Sequence, residues 1–439
     1  MKIRRLRSAA PGFARELDEL TGIESESADV ARVAAEIVAA VKARGDAALV
    51  EYTNRFDGAS VTDIRELKLD PEAFRQAFES LPDERRKALE DAAGRIDRFH
   101  RSQAGESWSY RDELGNRLGV RITALERIGV YVPGGRAAYP STVLMTVVPA
   151  RVAGVGEVVV TMPTPGGERD PMVLAALHLV GVTEAWAVGG AQAVGALAWG
   201  TESIAAVDKI VGPGNAYVAA AKRQVYGRTG IDLIAGPSEI LIVTDGSAPV
   251  DWLACDLFAQ AEHDELAQSL LLCPDRDYLD ALASRMADLL GERERRDIIA
   301  SSLESRGALI ETASLEEAVE IANRIAPEHL MLAVRDPDGL LEGVRNAGAI
   351  FLGAHSPEVM GDYVAGPSHV LPTYGTARFS SPLGVEDFQK RSSVIALTPE
   401  GCRALARTAS VLARSEGLEA HALAAEARSG PGHERPAER

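Results

Sequence analysis

From Gly129 onward the chain alternates short β-branched runs with alanine-rich stretches, a texture few folds accept. The first runs are Glu157-Val158-Val159-Val160-Thr161, Ala185-Trp186-Ala187-Val188 and Lys209-Ile210-Val211, each followed by a glycine-rich turn or a helical stretch. A second set follows Gly236: Glu239 to Thr244, Ser269 to Cys273, Ala308 to Glu311, His329 to Val334 and Ala349 to Gly353. Helix candidates lie between them, including Asp251 to His263 and Ser314 to Ile325. The latter opens with the capping-box pattern Ser314-Leu315-Glu316-Glu317. It stops before Pro327, because the residue preceding a proline disfavours helix. Strand and helix in strict alternation imply parallel sheets covered by helices.

Before Gly129 the spacing is helical. Ala28 to Val41 and Pro71 to Ala93 carry amphipathic patterns, separated by polar turns near Gly58 and Pro82. A length of 439 residues suits roughly three domains at about 150 residues each. The expectation is an α/β protein with two Rossmann-like parallel-sheet domains, incomplete in that no GxGxxG occurs. Residues 1–25 form an N-terminal helical segment. Residues 26–130 with 238–380 form the first α/β domain, and 131–237 the second. Residues 381–439 form a C-terminal helical segment whose polar tail after about 428 is disordered. No tandem repeat is found.

Charge excludes some functions. Lys and Arg number 47 against 64 Asp and Glu, a net charge of −17. Nucleic acid and anionic membranes want basic patches, so neither is an expected partner. No apolar run approaches the ~18 residues of a membrane span. The basic start Met1 to Arg7 lacks the apolar stretch of a secretory signal. Cys255, Cys273 and Cys402 show no CxxC spacing and read as free, mostly buried thiols of a reducing compartment.

Chemistry concentrates in a few pairs. Glu328-His329, within Ala326-Pro327-Glu328-His329-Leu330, sets a carboxylate and an imidazole side by side at a helix-to-strand junction, where both can move protons. Glu262-His263 is a second such pair, and Asp362 through His369 a third acid–imidazole grouping. With 8 His in the chain, three in acid-flanked contexts argue for one polar site assembled from distant segments. Gln260 and His263 are spaced i, i+3 and share a helix face, so a metal could use both, although a hydrogen-bonded surface pair is the commoner origin of that spacing. Asp362 and His421 are further possible ligands, but spacing alone does not bring them there. Gly236-Pro237-Ser238-Glu239 reads as a turn feeding a strand, with Ser238 able to offer a hydroxyl. His100, His178, His355 and His433 have no comparable context.

Three glycine-rich turns follow strands: Tyr131-Val132-Pro133-Gly134-Gly135, Gly189-Gly190-Ala191-Gln192 and Gly212-Pro213-Gly214-Asn215-Ala216. The last opens a helix whose amides suit an anion, though a plain tight turn fits it equally well on spacing alone. Ligands of open α/β sheets collect at the carboxyl ends of strands, where all three would lie.

Taken together, these stretches resemble the histidinol dehydrogenase family from about Arg4 to about Ala425. The specific matches are Gly129 to Gly135, Val188 to Ala193, Gly212 to Asn215, Ala235 to Glu239, Gln260 to His263, Pro327 to Leu330, Gly361 to Tyr363 with His369 to Thr373, and Glu416 to Leu418 with His421. One departure is Ser368, where the family more often carries Asn. The resemblance implies zinc bound by Gln260, His263, Asp362 and His421, one ion per subunit. It implies that Ser238, His329, His369 and Glu416 line the substrate beside those ligands. It implies NAD at Tyr131, Gln192 and Asn215, and a cytoplasmic homodimer in which Glu416 and His421 reach the partner's site. The zinc and catalytic residues then belong to the first α/β domain and NAD to the second. The implied reaction, ending histidine biosynthesis, oxidises L-histidinol to L-histidine through bound L-histidinaldehyde with two NAD. His329 would take the alcohol proton and Glu328 would activate water for the second oxidation. Two rivals are a same-fold dehydrogenase for another alcohol, such as a sulfonated diol, and a non-catalytic zinc protein. Glu416 speaks against the first and the retained Glu328-His329 pair against the second.

Overall fold

The computed structural model describes residues 2–22, 28–134 and 139–429, so Gly135 of the first glycine-rich turn and the tail from 430 lie outside the described residues. The strands are β1 (Arg4–Arg7), β2 (Lys68–Leu69), β3 (Trp108–Arg111), β4 (Arg117–Ala124), β5 (Arg127–Tyr131), β6 (Glu157–Thr161), β7 (Glu184–Trp186) and β8 (Lys209–Val211). They continue with β9 (Gly230–Ile231), β10 (Glu239–Thr244), β11 (Gln268–Cys273), β12 (Ala308–Glu311), β13 (His329–Ala333), β14 (Ala349–Leu352) and β15 (Gln389–Ala396).

Two six-stranded sheets follow the two alternating stretches. One has the order β2-β7-β6-β5-β8-β9 and is parallel except for β2 at its edge. The other, β1-β12-β11-β10-β13-β14, is parallel throughout. In each, the chain winds outward from a central strand, then crosses back to lay two strands on the other side. Direction therefore reverses between β5 and β8, and again between β10 and β13. Crevices form at such reversals. The central strands Glu239–Thr244, Gln268–Cys273 and His329–Ala333 are buried at every position, as a sheet covered on both faces requires. The chain is thus α/β with two Rossmann-like sheets, as the alternation implied.

Three local differences have physical causes. Arg4–Arg7, expected within a helical segment, pairs with β12 as an edge strand. Its polar sequence carries no apolar signal because an edge needs little burial. Helix Phe13–Thr21 follows it. Residues 28–101 were expected to complete the sheet built on β10, but they pack on the other one. Helix Ala28–Arg44 lies against Gly190–Trp199 and Ala216–Val225, helix Pro71–Ser80 against Pro171–Leu179, and helix Asp83–Arg101 against Pro140–Ala153. Ile37, Val41, Phe74 and Ile96 share one core with Val130, Val159 and Leu197. An apolar stripe says that a helix is buried, not which sheet buries it. Here β2, threaded between the helices, ties them to β7.

Residues 104–124 and 389–429 form a separate compact unit. Its antiparallel sheet runs β15-β4-β3, so the C-terminal segment opens with a strand rather than a helix. Gln-Lys-Arg-Ser-Ser-Val-Ile-Ala is mostly exposed and lacks the alternation that would have marked it. Helices Pro399–Ser415 and Glu419–Glu426 then pack together, with Glu426 accepting from Arg414 at 3.0 Å. Cys273 is buried and Cys402 half-buried, while Cys255 is exposed, contrary to the expectation of mostly buried thiols.

Candidate active site

Chemistry collects at the amino ends of the paired strands β10 and β13. Helix Leu315–Ile325 is capped by Ser314 and ends at Ala326, whose φ of 54° is left-handed and whose N–H donates to Ala322 O at 2.8 Å. Pro327 blocks continuation. The chain therefore leaves the helix abruptly, and Glu328 and His329 enter β13 buried at 6% and 3% exposure. Glu328 Oε2 accepts Glu239 N–H at 2.8 Å. His329 Nδ1 lies 2.9 Å from Glu239 O. A carbonyl only accepts, so Nδ1 carries the proton and the neutral ring keeps its lone pair on Nε2. That Nε2 is buried and finds no hydrogen-bond partner among the described residues.

Helix Glu358–Tyr363 supplies two acids to the same place, four residues apart on one face. Glu358 Oε1 is 3.6 Å from His329 Nδ1, and Asp362 Oδ1 is 3.8 Å from His329 Nε2. Gln260, fully buried on helix Val250–Ala261, meets Glu358 through its amide. His263 follows that helix, its N–H donating to Gln260 O at 3.2 Å. His369 donates from Nδ1 to Asp362 O at 3.0 Å, with Nε2 3.4 Å from Thr142 Oγ1. Ser238 immediately precedes β10, and its carbonyl accepts Gln268 N–H at 2.9 Å. The structure thus gathers Glu328, His329, Gln260, Asp362 and His369 around one point, bordered by His263 and Ser238. Glu416 and His421 lie exposed in the separate C-terminal unit, at the end of helix Pro399–Ser415 and within Glu419–Glu426.

Burial governs the electrostatics. It pushes Glu328 well above the usual carboxylate range, with Glu239 and Asp362 adding repulsion. Glu358 is likewise raised, by burial first and then by Asp362, Glu328 and Asp256. Asp362, Glu239 and Asp256 are each raised to about 6 by desolvation. The imidazoles move the other way: desolvation lowers His329 to about 3 and His369 to about 4, with His263 adding repulsion to both. His263 is open on one side, yet desolvation and Arg295 still lower it. Neutral imidazoles among crowded acids make a site that favours cations.

Sequence reasoning missed Glu358, Glu239 and Asp256. The compact donor group is His329, Glu358 and Asp362, whose ligand atoms lie within 4.8 Å of one another. Of the four expected zinc ligands only Asp362 is in it; Gln260 joins through Glu358. The i, i+4 spacings Asp256/Gln260 and Glu358/Asp362 were the signals available.

The other sheet presents its carboxyl edge. Tyr131 ends β5, and its hydroxyl accepts Gly190 N–H at 3.1 Å. Burial pushes that hydroxyl up to about 12. Gly212 follows β8 with φ 108°, and a Cβ there would stand 2.1 Å from Tyr131 O, so only glycine lets the two strand ends meet. The turn is clamped at both peptide groups: Gly212 N–H donates to Asp232 at 2.7 Å, and Lys222 Nζ donates to Gly212 O at 3.0 Å. Lys222 and Asp232 also pair with each other, both buried. Asn215 caps helix Ala216–Val225, accepting from Tyr217 and Val218 at 3.1 Å. Gln192 is buried at 1% exposure, and neither its amide nitrogen nor its oxygen has a partner among the described residues. A buried unpaired amide is costly, and a polar ligand at this edge would satisfy it.

Among the described residues, no helix is long and apolar enough to cross a membrane. A family model described as histidinol dehydrogenase matches residues 21–429. The chain is 54% identical to the histidinol dehydrogenase of Nitrosomonas europaea over 98% of this chain and 99% of that protein. It is 56% identical to that of Pseudomonas fluorescens over 97% of each. The crystal structure of histidinol dehydrogenase from Elizabethkingia anophelis superposes with a TM-score of 0.91 at 33% identity, covering 97% of this chain and 98% of that one. With its two reversed sheets and the acid–imidazole cluster between β10 and β13, the chain belongs to the histidinol dehydrogenase family of oxidoreductases.

Proposed function

We propose that this chain oxidises L-histidinol to L-histidine through bound L-histidinaldehyde, in two hydride transfers to NAD, as the last step of histidine biosynthesis in the cytoplasm. The observation that carries the reading is His329, with Nδ1 bonded to Glu239 O at 2.9 Å and Nε2 buried without a partner. A ring so held has one place to accept a proton. The acids around it favour a cationic substrate, as an amino alcohol bearing an imidazole is. The substrate-lining residues in this reading are Ser238, His329, His369 and Glu416.

The donors fit zinc. Asp362 lies in the cluster, Gln260 meets Glu358 there and His263 borders it; together they offer oxygen and imidazole nitrogen, a set that zinc accepts. His421 of a second copy of the chain would complete the set, and that copy's Glu416 would meet the substrate imidazole. Zinc, when bound, orients the amine and imidazole of the substrate. Tyr131, Gln192 and Asn215 fit NAD, Gln192 because its amide is otherwise unsatisfied. NAD, when bound, accepts hydride.

The protein's own groups handle the protons. His329 Nε2 takes the hydroxyl proton as hydride leaves carbon. Glu328, raised by burial and held by Glu239 N–H, is a stronger base than an exposed carboxylate and draws a proton from water for the aldehyde hydrate. Burial of the pair keeps the aldehyde from bulk water between steps.

The deciding experiment is the NADH yield per histidinol consumed. About two supports the double oxidation; about one overturns it, and none overturns the substrate. Chelation should abolish activity and added zinc restore it.

A further inference from the structure

Glu358 has no part in the reaction just described, yet it sits where the cluster is densest. It is 2% exposed, on the same helix face as Asp362, and its Oε1 is 3.6 Å from His329 Nδ1. With the amide nitrogen of Gln260 turned toward it, Gln260 donates to Glu358 Oε1 at 2.8 Å and to Oε2 at 3.3 Å; the opposite orientation sets oxygen against oxygen. That contact decides which end of a fully buried amide faces Glu358.

We propose that Glu358 is a positioning residue that locks the Gln260 amide with its oxygen toward the metal site. The inference rests on the zinc reading above. An amide binds a metal through oxygen alone, because its nitrogen lone pair is delocalised. A glutamine ligand is therefore competent in one of its two flip states, which look alike in shape. A carboxylate at 358 accepts and cannot donate, so it selects that state. Partners behind a metal ligand commonly act in this way, and their loss costs about 10- to 100-fold in metal affinity. The helix that delivers Asp362 thus also delivers, one turn earlier, the group that aims Gln260. The two ligands are coupled through one short element.

The test is zinc affinity of the full chain, by competition with a chelating dye, for wild type, Glu358→Gln, Gln260→Glu and the double variant. E358Q is expected to weaken zinc binding about 10- to 100-fold, with the melting temperature of the zinc-free protein unchanged or raised. In cobalt-loaded protein the visible spectrum should shift as Gln260 loses its fixed orientation. In the Q260E background the sign should reverse. There Glu358 opposes a second carboxylate, and E358Q can donate to it, so the double variant should bind zinc more tightly than Q260E alone. Equal affinity of E358Q and wild type overturns the proposal. Equal weakening by E358Q in both backgrounds also overturns it, making Glu358 a ligand itself. Failure of the wild type to bind stoichiometric zinc would instead sink the zinc reading. If E358Q does not fold, Glu358→Asp, which withdraws the acceptor by one carbon, carries the same expectation.

Discussion

The two parallel sheets share a winding and differ in the edge they use. On the sheet centred on β5, the glycine-rich turns after β5, β7 and β8 lie at the carboxyl ends of the strands. On the sheet centred on β10, Ser238, Glu328 and His329 lie at the amino ends of β10 and β13. The carboxyl edge offers backbone amides, one clamped turn and an unsatisfied glutamine. The amino edge offers buried titratable side chains. A reversal of strand order opens a crevice outside the carboxyl ends; the amino edge of the other sheet is filled instead by the acids its loops deliver.

If the edges divide the labour, damage at one should leave the other's task intact. The largest effect is expected for His329→Ala, a loss of about 10²- to 10⁴-fold in kcat with histidinol and an unchanged Kd for NAD by titration calorimetry. An equal loss in NAD affinity would erase the distinction. Lys222→Met strands Asp232 beneath the Gly212 turn and should cost about 3–5 kcal/mol in denaturant melts. It should also raise KM for NAD, while the double replacement with Asp232→Leu recovers most of the stability. Glu328→Gln should slow histidinaldehyde oxidation about 10²-fold and histidinol oxidation less. A wild-type rate with the aldehyde would refute the role given to Glu328. Gln192→Leu removes an unpaired buried amide, so stability should rise by about 1 kcal/mol while KM for NAD rises.

The smallest effect concerns His100, a control for His329. It too is buried with Nδ1 on a carbonyl, Ile96 O at 2.8 Å, and desolvation lowers it. Among the described residues Asp97 alone of the carboxylates acts on it, so its consequence is for stability. The folded pKa lies below the unfolded one, so its contribution is complete above about pH 6.5. It fades as pH falls toward the folded value, by at most about 1.4 kcal/mol per pH unit. His100→Gln should flatten that part of the melting profile without changing kcat, and an unaltered profile would dismiss the assignment.

Much of this was legible in the residues, for identifiable reasons. Parallel strands buried on both faces must be apolar throughout, so β6, β10 and β13 announce themselves. Turns that must approach another backbone need glycine, so the carboxyl edge was visible down to Gly212. The junction at Glu328-His329 was visible because Pro327 stops a capped helix. Polar, exposed edge strands carry no such signal, and β1 and β15 were missed for that reason, whereas the apolar edge strand β14 was legible. Helices 28–101 gave away their buried face but not their partner sheet. Glu358 follows a proline and carries no signal of its own; its meaning comes from Gln260, about a hundred residues earlier in the chain, and only folding brings the two together.

Ala326 holds a backbone conformation that glycine would adopt freely and that costs an alanine about 1–2 kcal/mol. Its side chain opposes that conformation, so the exit direction is held by what surrounds it: the Ala326 N–H on Ala322 O, and the Gly348 and Ala349 N–H groups on Pro327 O and Glu328 O. The aim of Glu328 and His329 therefore rests on packing and strand pairing firm enough to keep a strained residue in place.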